Sequence, residues 1–158
     1  LNLVAVTNKS VNQLVTEHWA KFGRNFYSRH DYEAIDSSAA NGLMEAIRAK
    51  LNSLVGKSFG NYTLTLADDF SYSDSVDDSV STNQGIRLIF SDGSRIVLRL
   101  SGTGTQGATL RVYLEKYESD ATKFETPTQS ALAELIEIAD QLAEIKVRTG
   151  MLVPTVVT

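Results

Sequence analysis

The sequence predicts an α+β domain, an antiparallel sheet with two amphipathic helices on one face, preceded by one extra helix. Three observations predict it. Ser37 to Leu54 and the segment after Thr126 carry apolar residues at helical spacing. Between them lie several short runs that alternate apolar and polar residues, the mark of half-buried strands. Within that region Ser91-Asp92-Gly93-Ser94 joins two such runs as a two-residue hairpin signal, which makes the pairing antiparallel. Strands grouped between helices suit a layered α+β arrangement. At 158 residues, 42% hydrophobic, the chain has room for one core.

The elements follow in order. Ser10-Val11-Asn12-Gln13 reads as a capping box, followed by Val11, Leu14, Val15, Trp19 and Phe22 on one helical face, with Gly23 as the stop. Arg24 to Glu33 reads as an extended connector leading into a strand. The second helix spans Ser37 to Leu54, with Ala40, Leu43, Met44, Ile47, Leu51 and Leu54 as its core stripe and Gly56 after its end. Strands are expected around Tyr62 to Leu66, around Phe70, and at Ile86 to Phe90, Arg95 to Leu100 and Thr109 to Tyr117. The last helix opens at Thr126-Pro127-Thr128-Gln129: Thr126 caps, Pro127 takes the first position and Gln129 closes a box. Its stripe is Leu132, Leu135, Ile136, Ala139, Leu142 and Ile145. Gly150 ends it, and Pro154 begins a short tail.

Composition narrows the function. The formal net charge is −4, and no basic stripe with interleaved aromatics is present, which argues against a nucleic-acid partner. No apolar run approaches the ~18 residues of a membrane span, and no secretory signal is visible, so no membrane partner is expected. The absence of cysteine excludes disulfides and thiolate metal sites and agrees with a cytoplasmic location. Asp68, Asp69, Asp74, Asp77 and Asp78 lie in a stretch without Lys or Arg. They lack the spacing and terminal Glu of a calcium loop and read as a solvated acidic loop. His18 and His30 are isolated and read as packed side chains rather than ligands. No metal site is expected. The chain starts at Leu1, as a fragment or a processed product would.

The most informative stretch is Arg99-Leu-Ser-Gly-Thr-Gly-Thr-Gln-Gly-Ala-Thr-Leu-Arg111, a loop of small residues with arginine at both ends and no acid inside. If the flanking strands pair symmetrically about it, Arg99 falls opposite Arg111. Like charges so opposed are unfavourable unless something negative sits between them. Each guanidinium is a planar fork suited to phosphate or carboxylate. Ser101, Thr103 and Thr105 add hydroxyls, while Gly102, Gly104 and Gly107 let backbone N–H groups turn inward as a nest. The loop also matches G-x-G-x-x-G, but a strand rather than a helix follows, so a dinucleotide-binding turn is rejected. The remaining alternative is a flexible hairpin loop whose arginines are solvated or paired with remote acids.

His18 to Glu33, Ser79 to Arg95, Arg99 to Arg111, and Arg148-Thr-Gly150 with Pro154-Thr155 carry a family resemblance. Taken together they resemble the C-terminal part of phosphoglucomutase, the glucose-specific branch of the α-D-phosphohexomutases. The resemblance implies that residues 1–24 are the end of a third domain and a hinge. It implies that 25–158 are a fourth domain with a TATA-binding-protein-like sheet. It implies an enzyme that interconverts glucose 1-phosphate and glucose 6-phosphate with Mg²⁺ and glucose 1,6-bisphosphate. Arg99, Ser101, Gly102, Thr103, Gly104 and Arg111 would grip the phosphate that is not transferred. The family's catalytic-serine, magnesium and sugar-recognition motifs are absent here, so the chain alone is expected to be inactive and to partner the remaining domains. The helix before Gly23 would then present an apolar face with no cover in this chain. A free-standing phosphosugar-binding or regulatory module is the alternative.

Overall fold

A computed structural model of the chain describes residues 2–104 and 107–158, with backbone alone at 103 and 104. Two short helices, α1 (Asn2–Thr7) and α2 (Val11–Phe22), come first. The Ser10 capping box is present in full: Ser10 Oγ accepts from Gln13 N, and Gln13 Oε1 accepts from Ser10 N. Neither helix contains a buried residue; Val11 is 66% exposed and Phe22 55%. On the apolar face of α2, Val11, Val15 and Phe22 are therefore uncovered, while Leu14 and Trp19 are half-buried.

At the junction, Gly23 takes φ 81 and the Tyr117 hydroxyl donates to Phe22 O at 2.9 Å. A Cβ on Gly23 would clash with the Tyr117 ring and hydroxyl. Arg24 stacks between Trp19 and Phe26, 4.2 and 4.1 Å from the ring centroids, and donates to the carbonyl of Phe124.

From Arg24 the chain is a strand, where the sequence suggested a connector. β1 (Arg24–Ile35) buries Phe26, Ser28, His30 and Tyr32 in alternation. Two of those inward positions are polar, which hides the period-2 signal. Gln129 resolves them: its Oε1 lies 2.9 Å from His30 Nε2, and its Nε2 donates to Ser28 Oγ at 2.8 Å. Gln129 consequently does not close a capping box; Pro127 is the N-cap and offers no side-chain bond. His30 is the packed residue expected, whereas His18 is exposed, stacked 4.8 Å from Phe22.

The second predicted helix is two pieces, α3 (Ser37–Arg48) and α4 (Leu51–Leu54), and all six residues of its expected stripe are buried. Asp36 caps α3 by accepting from Ser38 N and Ala39 N. The sheet continues with β2 (Ser58–Phe59), β3 (Tyr62–Ser73), β4 (Val80–Phe90), β5 (Arg95–Gly104) and β6 (Gly107–Glu118). A single 3-10 turn (Ala121–Lys123) then leads to α5 (Thr128–Ala131), α6 (Ala133–Ala143) and α7 (Ile145–Thr149). The single expected last helix breaks at Glu144, which takes φ 52. The tail adds β7 (Val156–Val157).

The strands form one antiparallel seven-stranded sheet in the order β2-β3-β4-β5-β6-β1-β7. One face packs the core. Leu64, Ile86, Leu88, Ile96, Leu98 and Leu110 are fully buried there, in one cluster with Leu43 and Ile47 of α3 and Leu135 and Ile138 of α6. The opposite face carries mostly half-buried and exposed side chains, with Asp31 buried among them. The Asp92-Gly93 hairpin is present with a longer loop than expected. Gly93 N donates to Phe90 O and Phe90 N to Ser94 O, with Gly93 at φ 84, so three residues turn with a glycine bulge.

The acidic segment is not one solvated loop. Asp68 and Asp69 lie within β3, paired with Arg87 and Arg48 at 2.6 Å. The turn itself is Asp74 to Ser79, with Asp74 N donating to Ser79 O.

Candidate functional site

Successive residues of a strand point to opposite faces, so register fixes what stands together on the open face. One row across the sheet reads Phe70, Gly85, then Arg99, Arg111, Asp31 and Val156. Arg99 and Arg111 are directly opposed, as symmetrical pairing about the loop requires.

The opposed guanidiniums part sideways. Arg111 leans toward β1, where its Nε lies 3.9 Å from Asp31 Oδ2 and is buried without a hydrogen bond. Asp31 is itself buried and accepts from Arg29 Nε at 2.8 Å. Arg99 leans toward β4: a Cβ on Gly85 would meet Arg99 Cγ at 2.6 Å. Gly85, at φ 151, is thus the bare backbone over which the Arg99 stem runs. Among the described residues Arg99 has no carboxylate partner, which leaves its charge available to a ligand.

The tail holds the carboxylate end of this row. Thr155 N and Thr155 Oγ1 both donate to Asp31 O, at 2.8 and 2.9 Å, and Thr158 exchanges backbone bonds with Arg29. Asp31 is thereby fixed where it can orient Arg29 and Arg111 together.

Beyond Arg99 the hairpin continues with Ser101 opposite Thr109 and Gly104 opposite Gly107, with an irregularity between those pairs. Gly102 takes φ 64 with open space around it. Gly107 takes φ 89 for a different reason, because a Cβ there would sit 2.8 Å from the Ile35 carbonyl oxygen. β6 follows directly, so the chain does not run from the loop into a helix. Ser101 is half-buried. The hydroxyls of Thr103 and Thr105 lie outside the described residues.

Of the residues singled out in the sequence, Arg99, Ser101, Gly102, Gly104 and Arg111 lie on one hairpin, and the Thr103 side chain lies outside the described residues. Sequence reasoning missed Arg29, Asp31, Gly85 and Thr155. Arg29 and Asp31 did carry a signal, two charged residues at i and i+2, but only in a segment read as a strand. Gly85 and Thr155 become visible only through tertiary pairing. Among the described residues no group of three or more His, Cys, Asp or Glu could hold a metal ion, and no helix is long and apolar enough to cross a membrane.

Comparison with known proteins agrees with this architecture. Residues 24–155 match the family model described as "Phosphoglucomutase-1, C-terminal domain". The chain is 60% identical over 158 residues to a phosphoglucomutase from Rhizobium radiobacter, covering 100% of this chain and 29% of that protein. It is 48% identical over 164 residues to phosphoglucomutase-1 from Homo sapiens, again covering 100% of this chain and 29% of the relative. A crystal structure of the Paramecium exocytosis-sensitive phosphoprotein pp63/parafusin, a phosphoglucomutase, superposes with a TM-score of 0.82 at 44% identity, covering 94% of this chain and 25% of that one. The chain thus spans 29% of the length of these two relatives. With the family model covering most of the chain, it belongs to the phosphoglucomutase-1 C-terminal-domain family.

Proposed function

We propose that this chain is the part of a phosphoglucomutase that grips the phosphate not being transferred while glucose 1-phosphate and glucose 6-phosphate interconvert. The observation that carries the reading is Arg99 opposite Arg111 at the base of a glycine-rich hairpin that contains no acid. Two forked guanidiniums can hold two edges of a phosphate, and Ser101, Thr103 and the backbone around Gly102 and Gly104 add neutral donors. Arg29 joins them through Asp31, which orients Arg29 and Arg111.

In this reading residues 1–24 are the end of a preceding domain and a hinge, and 25–158 form the phosphate-gripping domain. The uncovered α2 face fits that division. The nucleophile, the Mg²⁺ and the sugar-reading residues belong to the remaining domains, with glucose 1,6-bisphosphate as the activating intermediate and the cytoplasm as the setting.

Titration of the chain with inorganic phosphate, followed by amide chemical shifts, tests the reading. The shifts are expected to cluster between Arg99 and Arg111, with weak affinity, because the enclosing domains are not there to offset the cost of ordering. Shifts centred elsewhere, or none at roughly tens of millimolar phosphate, overturn it.

A further inference from the structure

Beside the loop, on the same open face, lies a groove of about 560 Å³ that shares Arg29 and Arg99 with the proposed phosphate site and is otherwise lined by residues outside it. Register builds it. Val97 lies opposite Tyr113, and Tyr113 opposite Arg29; one step along, Arg95 lies opposite Glu115, and Glu115 opposite Tyr27. Arg99 closes the end nearest the loop. Half-buried Val97 and Tyr113 form an apolar floor. The Tyr27 ring stands at the side, 57% exposed, its hydroxyl held by Asn25 Nδ2 at 3.0 Å.

The rim is cationic in a chain whose formal net charge is −4. Arg29, Arg95 and Arg99 surround the floor. Two of them are held in place by carboxylates: Arg29 by Asp31, and Arg95 by Glu115. Such a site selects a flat apolar body that carries an anionic group. A sugar phosphate supplies the anion but covers the floor with hydroxyls. An aromatic base covers Val97 and packs edge or face against the two tyrosine rings, and guanidinium groups favour the phosphate it carries. The volume falls in the usual range for small-molecule sites, about 300–1,000 Å³.

We propose that this groove binds a nucleoside phosphate, with the base on Val97 and Tyr113 and the phosphate at Arg99. Arg99 also serves the hairpin loop, so an occupied groove excludes a phosphosugar from it. That exclusion rests on the function proposed above, whereas binding in the groove does not.

Amide shifts on the chain titrated separately with adenosine 5′-monophosphate, ribose 5-phosphate and inorganic phosphate test it. The nucleotide is expected to move Tyr27, Arg29, Val97 and Tyr113 and to bind at least about tenfold tighter than ribose 5-phosphate. Val97→Glu places a carboxylate on the floor and is expected to abolish those shifts while leaving the phosphate response of residues 99–111 intact. Tyr27→Ala, which removes an exposed ring, is expected to weaken nucleotide binding several-fold and guards against a Val97 variant that fails to fold. Equal affinity for the nucleotide and ribose 5-phosphate, or no response at the groove residues, overturns the proposal. A groove that answers the nucleotide while the loop ignores inorganic phosphate overturns the loop reading and leaves the groove standing.

Discussion

Two long hairpins leave the sheet side by side and end in opposite ways. The tip of β3–β4 carries Asp74, Asp77 and Asp78, and it uses its carboxylates on itself: Asp74 Oδ1 accepts from Val76 N and Asp77 Oδ1 from Ser79 N. The β5–β6 hairpin has no carboxylate from Arg95 to Leu114; Gly102 and Gly107 take φ 64 and 89, and Arg99 and Arg111 stand at its base. Net charge is only part of the difference. An acidic tip takes up its own backbone donors as internal caps, whereas a tip without acids brings no carboxylate to compete with a ligand for its N–H groups. An anion site needs donors left unspent as much as it needs positive charge.

The largest expected effect probes the charge at the base of the basic tip. Arg111→Ala removes a charged donor, worth ~1.5–3 kcal/mol, and is expected to weaken phosphate binding roughly 10- to 150-fold. Ser101→Ala removes one neutral hydrogen bond of ~1 kcal/mol, roughly a fivefold loss. Phosphate titration of both variants, each checked for unchanged circular dichroism, measures the ratio. Equal losses would break the comparison, because the tip would then be binding through neutral donors alone.

A smaller effect is expected where the two arms touch. Gly85 of β4 lies under the Arg99 stem at φ 151, and a Cβ there would also sit 3.0 Å from the Leu98 carbonyl oxygen. Gly85→Ala is expected to destabilise the fold by ~1–3 kcal/mol through backbone strain and displacement of Arg99. That corresponds to a Tm lower by several degrees, at ~2–4 °C per kcal/mol for a chain of this size, and phosphate affinity should fall with it. Gly93→Ala is the control, at φ 84 but with nothing within 4 Å to meet. A Gly85 variant that melts like the Gly93 variant and keeps its phosphate affinity would show that Arg99 does not need this seat.

How much of this was legible follows from where the signals sit. The helical stripe from Ala40 to Leu54 and the opposition of Arg99 and Arg111 were readable because each depends on local period alone. β1 was not, because its inward positions Ser28 and His30 are polar and are satisfied by Gln129, about a hundred residues away in the chain. The same remote pairing explains why Gln129 does not cap its helix. Asp31 and Thr155 escaped notice because their roles exist only once β7 lies against β1. The break at Glu144 carries no glycine or proline to announce it. Local pattern showed the tip of the candidate site, and tertiary pairing supplied its supports.

The smallest effect concerns the base of the acidic arm, where Asp68 neutralises an arginine that would otherwise add to the open face. Arg87 donates to both carboxylate oxygens, at 2.9 and 2.6 Å, and stacks 4.5 Å from the Phe70 ring centroid. The side chains are 37% and 36% exposed, so solvent screens the pair and its contribution is ~0.2–1 kcal/mol. Those hydrogen bonds hold the Asp68 carboxyl below its usual value of 3.8. With the folded value depressed, the stabilisation is present above pH 3.8 and is lost as pH falls through the lower folded value. Urea unfolding of the parent and Asp68→Asn chains should therefore show a small gap at about pH 7 that closes toward about pH 2–3. Freed from its partner, Arg87 stands on the same face as Arg99 and next to Val97, so Asp68→Asn should bind phosphate slightly more tightly than the parent at low salt. A gap that persists in acid would assign the contribution to packing of Arg87 on Phe70, and tighter binding that survives high salt would show that Arg87 contacts the anion directly.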